Sequence, residues 1–450
     1  MTDKADLILE RAAAAAALRW SHAGVTKVCV ALSGGMDSVV LLHTLSALAK
    51  KQSSWSLYAH HIHHGLSPNA DAWAEHCESV CTALDVSFGC TRVSVDRSAG
   101  VGLEAAARAA RYAALDALNT DMVVLAHHAR DQAETVLLQL LRGAGPNGLA
   151  AMPRMNSRYS RPLLDVPRAA VHRYALAHSL AWIEDESNLD TRFARNRLRL
   201  NVWPALTAAF PSAEATLARS AALQAETAVL LRELATIDLQ AISDAEIPRV
   251  SRLMNLTTER QANVFRHWLA KESMPVPSSD TLHEWLSQLS STNATQAIKL
   301  GFAKDGPSVR VYRDRLLVER STGDWPAVTW VGEPEILLGA AAGSVTFTET
   351  EGGATAAIRR IAPGETWSVR KRLPGDRVRL SSASGHVSLK NVMQSANVPP
   401  WMRDVWPLLI CNNQIAAIAG LLTANDYKVR PGERGLAIEW KPAWSPAPRS

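Results

Sequence analysis

The run Ser33-Gly34-Gly35-Met36-Asp37-Ser38 holds the residue types that cradle a phosphate. Glycines let the backbone turn where a side chain would clash, so several N–H groups can converge on one anion. A helix starting there adds its positive N-terminal end, and Ser33 and Ser38 add hydroxyl donors. Asp37 cannot meet a phosphate directly, because like charges repel; a carboxylate there suits Mg²⁺ held against the phosphates. The run does not fit GxxxxGK[ST], which argues against a Walker-type NTPase. A helix capped by Asp or Ser after a glycine turn would use the same residues for structure alone.

Other groups could complete a site. Glu104, Arg108 and Arg111 fall at i, i+4 and i+7 and share one helix face. They make either a surface ion-pair ladder or a pair of guanidinium forks turned to phosphate. His127 ends an apolar stretch, and Asp131 and Glu134 follow at a spacing that suits a helix cap and a substrate contact alike. Arg192, Arg195, Arg197 and Arg199 crowd around Phe193, and Arg370, Lys371, Arg372, Arg377 and Arg379 form a second basic cluster far along the chain. Two separated clusters suit a long, folded polyanion, whose phosphates give affinity and whose splayed bases stack. His61 and His63 alternate on one strand face, but no carboxylate or Cys at a suitable spacing completes a zinc set.

The elements that must position these residues alternate in period. Short apolar runs at Val28–Leu32, Trp55–Ile62, Val86–Val95 and Met122–Ala126 predict buried strands. Between and after them lie helices predicted over Asp37–Lys50, Ala70–Leu84, Leu103–Asn119 and Asp131–Leu141. Repeated β-then-α units imply a parallel sheet covered on both faces, with ligands at the carboxyl ends of the strands. From Ala213 to about Leu300 the pattern is helical without obvious strands. Gly339–Ala357 reads as a linker or hairpin, Leu389–Ala396 as a helix and Trp406–Leu422 as a strand pair. Three domains are expected, over residues 1–212, 213–335 and 355–440.

At 450 residues, 47% hydrophobic and 20% charged, the chain has the balance of a globular protein rather than a disordered, collagenous or coiled-coil one. No run approaches the ~20 apolar residues of a membrane span. The Ala-rich stretch Ala12–Leu18 follows Asp3, Asp6 and Glu10 and reads as a helix, not a signal peptide, so a cytoplasmic protein is expected. Five scattered cysteines (Cys29, Cys77, Cys81, Cys90 and Cys411) form neither a disulfide framework nor a CxxC site. A net charge of +5 suits a polyanionic partner without proving one.

The loop, SGGxDS after a first strand, resembles the pyrophosphate loop of the PP-loop ATPases. Further segments resemble the tRNA(Ile)-lysidine synthase family within that group: His61-Ile62-His63-His64-Gly65-Leu66-Ser67; Glu104 to Tyr112; and Leu125 to Thr135. Leu141 to Gly145, Arg161 to Leu164, Glu184 to Asn188, and Phe193 to Arg199 follow in the family's order, and Arg370–Arg377 and Val398–Asp404 resemble its distal domain. His63, Arg130 and Glu186 depart from the usual Asn, acidic residue and Pro. The resemblance implies an α/β fold: an N-terminal parallel-sheet PP-loop domain, a helical domain and a small α+β C-terminal domain. It implies ATP and Mg²⁺ as cofactors, with L-lysine and tRNA(Ile) bearing a CAU anticodon as substrates. ATP adenylates O2 of the wobble cytidine, the lysine ε-amine attacks C2, and AMP leaves.

On this reading Ser33, Gly34, Gly35, Met36, Asp37 and Ser38 bind the nucleotide, and Asp37 also holds the metal. Asp37, Arg108, His127, Asp131 and Arg195 are catalytic, with His127 or Asp131 deprotonating the amine. Arg111, Arg197, Arg199, Arg370, Arg372 and Arg377 meet tRNA, and a homodimer is a possible assembly. A PP-loop tRNA thiolase, a non-catalytic nucleotide-gated RNA-binding protein and an amide-forming synthetase are the alternatives. The cysteines offer the thiolase no obvious ligand set.

Overall fold

The computed structural model describes residues 4–51, 54–95, 103–291, 298–302, 306–320, 323–351, 356–380, 385–430 and 432–443, without the side chains of 103–104 and 187–188. The side chains of Glu104, Ser187 and Asn188 therefore lie outside what can be described. The chain divides into two compact units, Met1–Leu230 and Leu231–Ser450.

The first unit begins with helix α1 (Lys4–His22) and strand β1 (Lys27–Ala31). Then come α2 (Met36–Ala49), β2 (Ser56–His63), α3 (Ala70–Leu84), β3 (Ser87–Arg92) and α4 (Leu103–Asp116). After them lie β4 (Met122–Val124), α5 (Ala129–Leu140), the single turn α6 (Pro146–Leu149), β5 (Tyr159–Ser160) and α7 (Arg168–Ala177). The five strands form one parallel sheet in the order β3-β2-β1-β4-β5.

Alternation along β1 and β4 sends side chains to opposite faces. Val28, Val30, Met122 and Val124 enter a core with Trp20 of α1, Val39 and Val40 of α2, and Val171 and Tyr174 of α7. Ala31, Val123 and Leu125 enter a smaller core with Leu115, the partly buried Tyr112 of α4 packing against it. Both faces are covered, as the short, wholly apolar strands require. The order switches between β2-β1 and β1-β4, so the loop after β1 lies at a topological switch point, where doubly wound sheets bind ligands.

Beyond α7, short helices α8 (Ala194–Arg197) and α9 (Trp203–Ala209) flank a π turn at Leu198–Val202, and α10 (Ala213–Ile242) follows. In the second unit, helices Thr258–Lys271 and Ser279–Ser290 bury Phe265, Trp268 and Trp285. The segment expected to be helical up to residue 335 also carries a three-stranded antiparallel sheet of Lys299–Gly301, Ser308–Tyr312 and Arg315–Glu319. Its tight turn is Arg313-Asp314, with φ of 49° and 66°. A two-residue hairpin turn with both φ values positive normally advertises itself with Asn-Gly, and Arg-Asp gives no such signal. The distal part has two larger antiparallel sheets, of five and four strands, sharing a core around Trp330, Trp367, Trp406 and Trp440, with a two-stranded ribbon of Arg377–Arg379 and His386–Ser388 and a helix over Leu389–Ser395.

Candidate active site

The loop between β1 and α2 turns at Gly34, whose φ is +84°. A Cβ there would stand 2.7 Å from Ile183 Cδ1 and 3.1 Å from Cys77 Sγ, so both conformation and space demand glycine. Ile183 N donates to Gly34 O at 2.9 Å and pins the turn from the far side. Ser33 N donates to Ser38 Oγ at 3.2 Å, and the two hydroxyls share a hydrogen bond of 3.1 Å. Helix α2 starts at Gly35 with no side-chain cap, which decides against the purely structural reading. Ser38 N is already bonded to Gly35 O at 3.0 Å and Gly35 N to Ser33 Oγ at 3.4 Å, which leaves the Met36 and Asp37 amides as the helix-start donors for an anion. Met36 contributes backbone only, because its side chain is buried in the core.

Asp37 stands at the lip of this loop. Its Oδ1 is buried without a hydrogen-bond partner, and its Oδ2 lies 3.6 Å from His128 Nε2. A carboxylate oxygen left open beside an anion loop fits Mg²⁺, which binds through one or two carboxylates and completes its shell with phosphates and water. Among the described residues no group of three or more His, Cys, Asp or Glu is arranged to hold a metal by itself. The sequence reading did not single out His128, which is 1% exposed and caps α5. The His128 N–H donates to Asp131 Oδ2 at 3.0 Å, and Asp131 N donates to His128 Nδ1 at 3.3 Å. Burial works against charge on His128, but Asp37, Asp131 and Glu134 outweigh it and hold its pKa above the ordinary histidine value.

The acids of α5 are fully engaged. Arg195 Nη2 and Arg199 Nη2 donate to Asp131 Oδ1 at 2.9 and 2.7 Å. Their Nε atoms donate to Glu134 Oε2 and Oε1 at 3.0 and 2.8 Å. Glu134 is wholly buried and also lies 3.4 Å from Arg130 Nε. Burial alone would raise the Asp131 carboxyl, but His128, Arg195, His127 and Arg199 prevail and bring it down to about 2. Arg199, expected to meet tRNA, thus has its guanidinium committed to two acids, as does Arg195. Arg130, the departure from the family pattern, also stacks on Trp203 at 5.0 Å.

The other side of the strand edge has the opposite character. His127 follows β4, and its Nδ1 is buried without a partner. Burial, reinforced by Arg161, Arg111 and Arg195 and only partly opposed by Asp131, lowers its pKa to about 3. Arg161, one residue past β5, is 7% exposed. Its Nη1 donates to Pro153 O at 3.0 Å, while its Nε is buried and unpartnered. Arg108 Nη2 donates to Tyr112 OH at 3.2 Å, and Arg108 also lies over the Tyr112 ring. Burial depresses the pKa of both Arg111 and Arg161. The sequence reading placed Arg161 only within a motif, because a two-residue polar strand before it gives no periodic signal.

The histidines after β2 have separate duties. His61 Nδ1 donates to Leu32 O at 2.9 Å, and His63 Nε2 donates to Asp71 Oδ1 at 3.1 Å. Exposed Arg197 reaches the carbonyls of Thr191 and Arg192. In the second unit Arg370 forms a bidentate pair with Asp376 at 2.8 and 2.9 Å, and Arg372 lies 3.1 Å from Asp404. Arg377 is exposed and donates to His386 O.

An uncapped helix behind a glycine turn, at the switch point of a doubly covered parallel sheet, defines a nucleotide-binding α/β protein. The family model described as "PP-loop domain" matches residues 9–206. Those described as "TilS substrate binding domain" and "TilS substrate C-terminal domain" match 249–317 and 367–440. The chain is 40% identical over 427 residues to the tRNA(Ile)-lysidine synthase of Alkalilimnicola ehrlichii, covering 92% of this chain and 94% of the relative. It is 38% identical over 430 residues to that of Shigella flexneri, covering 92% and 96%. The chain belongs to the tRNA(Ile)-lysidine synthase family. Among the described residues, no helix is long and apolar enough to cross a membrane.

Proposed function

We propose that this protein uses ATP to join L-lysine to C2 of the wobble cytidine of tRNA(Ile) with a CAU anticodon, working in the cytoplasm. The observation that carries the reading is the loop from Ser33 to Ser38: α2 starts there without a side-chain cap, and Asp37 holds an open buried oxygen at its lip. The loop takes the departing pyrophosphate while cytidine O2 attacks the α-phosphorus. The lysine ε-amine then adds at C2, gives up a proton, and AMP leaves carrying the original oxygen. Adenylation is needed because a ring oxygen is a poor leaving group and AMP is a good one.

Asp37 is the residue to hold Mg²⁺, which when bound neutralises phosphate charge. The amine, with a reference pKa of about 10.4, must be deprotonated before it attacks. Both oxygens of Asp131 are engaged, whereas His127 keeps a free ring nitrogen. His127 is held down in part by neighbouring arginines, and polyphosphate charge beside them raises a histidine's basicity. We assign proton acceptance to His127, and to Asp131, Arg195 and Arg199 the task of holding α5 against the segment that follows Phe193. Arg108 faces the nucleotide or the RNA, and Arg197, Arg372 and Arg377 the tRNA.

The test is incorporation of radiolabelled L-lysine into unmodified tRNA(Ile) bearing CAU, with ATP and Mg²⁺ present and then omitted. ATP-dependent labelling that disappears with Asp37→Ala is the expected result. Pyrophosphate release on the tRNA without labelling would keep adenylation and reject lysine as the nucleophile.

A further inference from the structure

Arg161 presents a problem of charge. It is 7% exposed, one face of its guanidinium meets only the Pro153 carbonyl and the Tyr112 hydroxyl, and its Nε has no partner. Arg108 acts on both Arg161 and Arg111, and these two share Tyr112 and Tyr159 as neighbours. Among the described residues no carboxylate pairs with Arg111 or Arg161. The acids within reach are spent elsewhere: Asp116 accepts from Tyr159 OH at 2.6 Å, and Asp131 is taken by Arg195 and Arg199. Buried cations are normally paired, because desolvating a charge without a counter-ion is costly. His127 Nδ1 and His64 Nδ1, both buried and unpartnered, mark the same side of the site, and Arg111 acts on both rings. The groups needed for an anion are assembled here, and the described residues supply no anion.

We propose that Arg161 and Arg111 form the subsite for the α-carboxylate of the amino-acid substrate, which deepens and rests on the ligase reading above. The guanidinium fork matches a carboxylate bidentately. A guanidinium as buried as that of Arg161 suits a small carboxylate better than an RNA phosphate, which stays on an exposed backbone. Pyrophosphate already has its own loop after β1. The strand order places that loop, His127 and Arg161 at the ends of β1, β4 and β5, which are successive neighbours. At about 4.8 Å per strand the loop and Arg161 are roughly 10 Å apart across the edge. A lysine anchored by its carboxylate at β5 spans most of that with its four-carbon stem, and its amine arrives beside His127, next to the nucleotide. Selection of an amino acid over a simple amine then follows from geometry.

The test compares L-lysine with cadaverine, the same diamine chain without the carboxylate, as nucleophiles in the tRNA ligation assay. The wild-type enzyme is expected to prefer lysine by at least tenfold in kcat/KM. Arg161→Gln should collapse that preference at least tenfold, by raising the KM for lysine. A contact to tRNA phosphate would instead lower both nucleophiles together and keep the ratio, which overturns the proposal, as would an unchanged lysine KM. Pyrophosphate release on ATP and tRNA without any amine reports whether the variant retains its fold. Should Arg161→Gln lose that release, Arg161→Lys decides the matter, since it keeps the charge and loses the fork: a reduced lysine preference supports the subsite and a retained one refutes it. A wild-type enzyme that releases pyrophosphate but joins neither amine would reject the ligase reading itself, and the subsite with it.

Discussion

Replacing Glu134 with Gln tests whether the acids of α5 hold the following segment in place. Gln keeps the volume but offers one acceptor where two are used, and its amide then faces an arginine N–H, donor to donor. Arg199 Nε at 2.8 Å, Arg195 Nε at 3.0 Å and Arg130 Nε at 3.4 Å all lose the charge they face. Breaking a buried ion pair by removing one partner costs ~3–5 kcal/mol. The lower end applies here, because Asp131 still holds both guanidinium groups, and Arg195 and Arg199 keep 26% and 31% of their side-chain surface in water. A loss of about 3 kcal/mol corresponds to a fall of roughly 6–12 °C in melting temperature for a unit the size of Met1–Leu230. Thermal unfolding followed by circular dichroism measures it. The double variant with Arg199→Ala should be less damaged than the sum of the singles by ~0.5–3 kcal/mol, since the two groups meet directly. A fall below ~2 °C, or additive effects, would refute the account of a clamp.

Gly34→Ala forces a side chain into a left-handed conformation at ~1–2 kcal/mol and pushes its Cβ against Ile183 and Cys77. The KM for ATP should rise at least tenfold in pyrophosphate-release assays, whereas Gly24→Ala, also at positive φ but with open space around it, should leave it unchanged. His127 is held neutral down to about pH 3, while in the unfolded chain it takes up a proton near 6.5. The unfolded state therefore binds more protons across that window, so stability rises with pH from about 3 to 6.5 and this contribution is complete above it. His127→Gln should flatten that part of the urea-unfolding profile, and an unchanged slope would contradict the burial argument. Arg370→Gln should lower the melting temperature without altering the salt dependence of tRNA binding, because its partner is Asp376. Exposed Arg377→Gln should reduce the slope of log K against log salt by about 0.7–0.9, one phosphate's worth.

The parts of this fold legible in sequence are those where one physical requirement dominates. Strands β1 and β4 are buried on both faces and so read as short apolar runs, and the loop after β1 is announced by its glycines. Strand β5 was invisible because Tyr159–Ser160 is too short and too polar to show a period. The turn at Arg313-Asp314 hid a hairpin for want of glycine or asparagine, whereas the strand pair expected over Trp406–Leu422 turns at Asn412-Asn413, both with positive φ. Spacing grouped Asp131 with Glu134 and Arg195 with Arg199 but could not say which acid pairs with which cation. The partition of arginines is decided by where the segment after Phe193 crosses α5, a tertiary fact. Arg199 and Arg370 look the same in sequence as arginines with open guanidinium groups, and only the folded chain shows their acid partners, Asp131 and Glu134 for Arg199 and Asp376 for Arg370.

That partition divides the strand edge into two halves with different physics. On the α5 side each acid has at least two cations, so the charges cancel locally and the groups are locked in place. On the α4 and β5 side Arg108, Arg111 and Arg161 face phenols, carbonyls and histidines, so positive potential remains for substrate anions. His127 stands between the two, within reach of Asp131 on one hand and of Arg111 and Arg161 on the other. Its basicity is therefore set by whatever anions fill the second half. Without them it is too weak a base to accept a proton from an amine; with a carboxylate and a polyphosphate in place, the cations that suppress it are matched. In the proposed mechanism, deprotonation of the nucleophile then follows assembly of the substrates, which keeps an activated amine from forming before there is an adenylated base to attack.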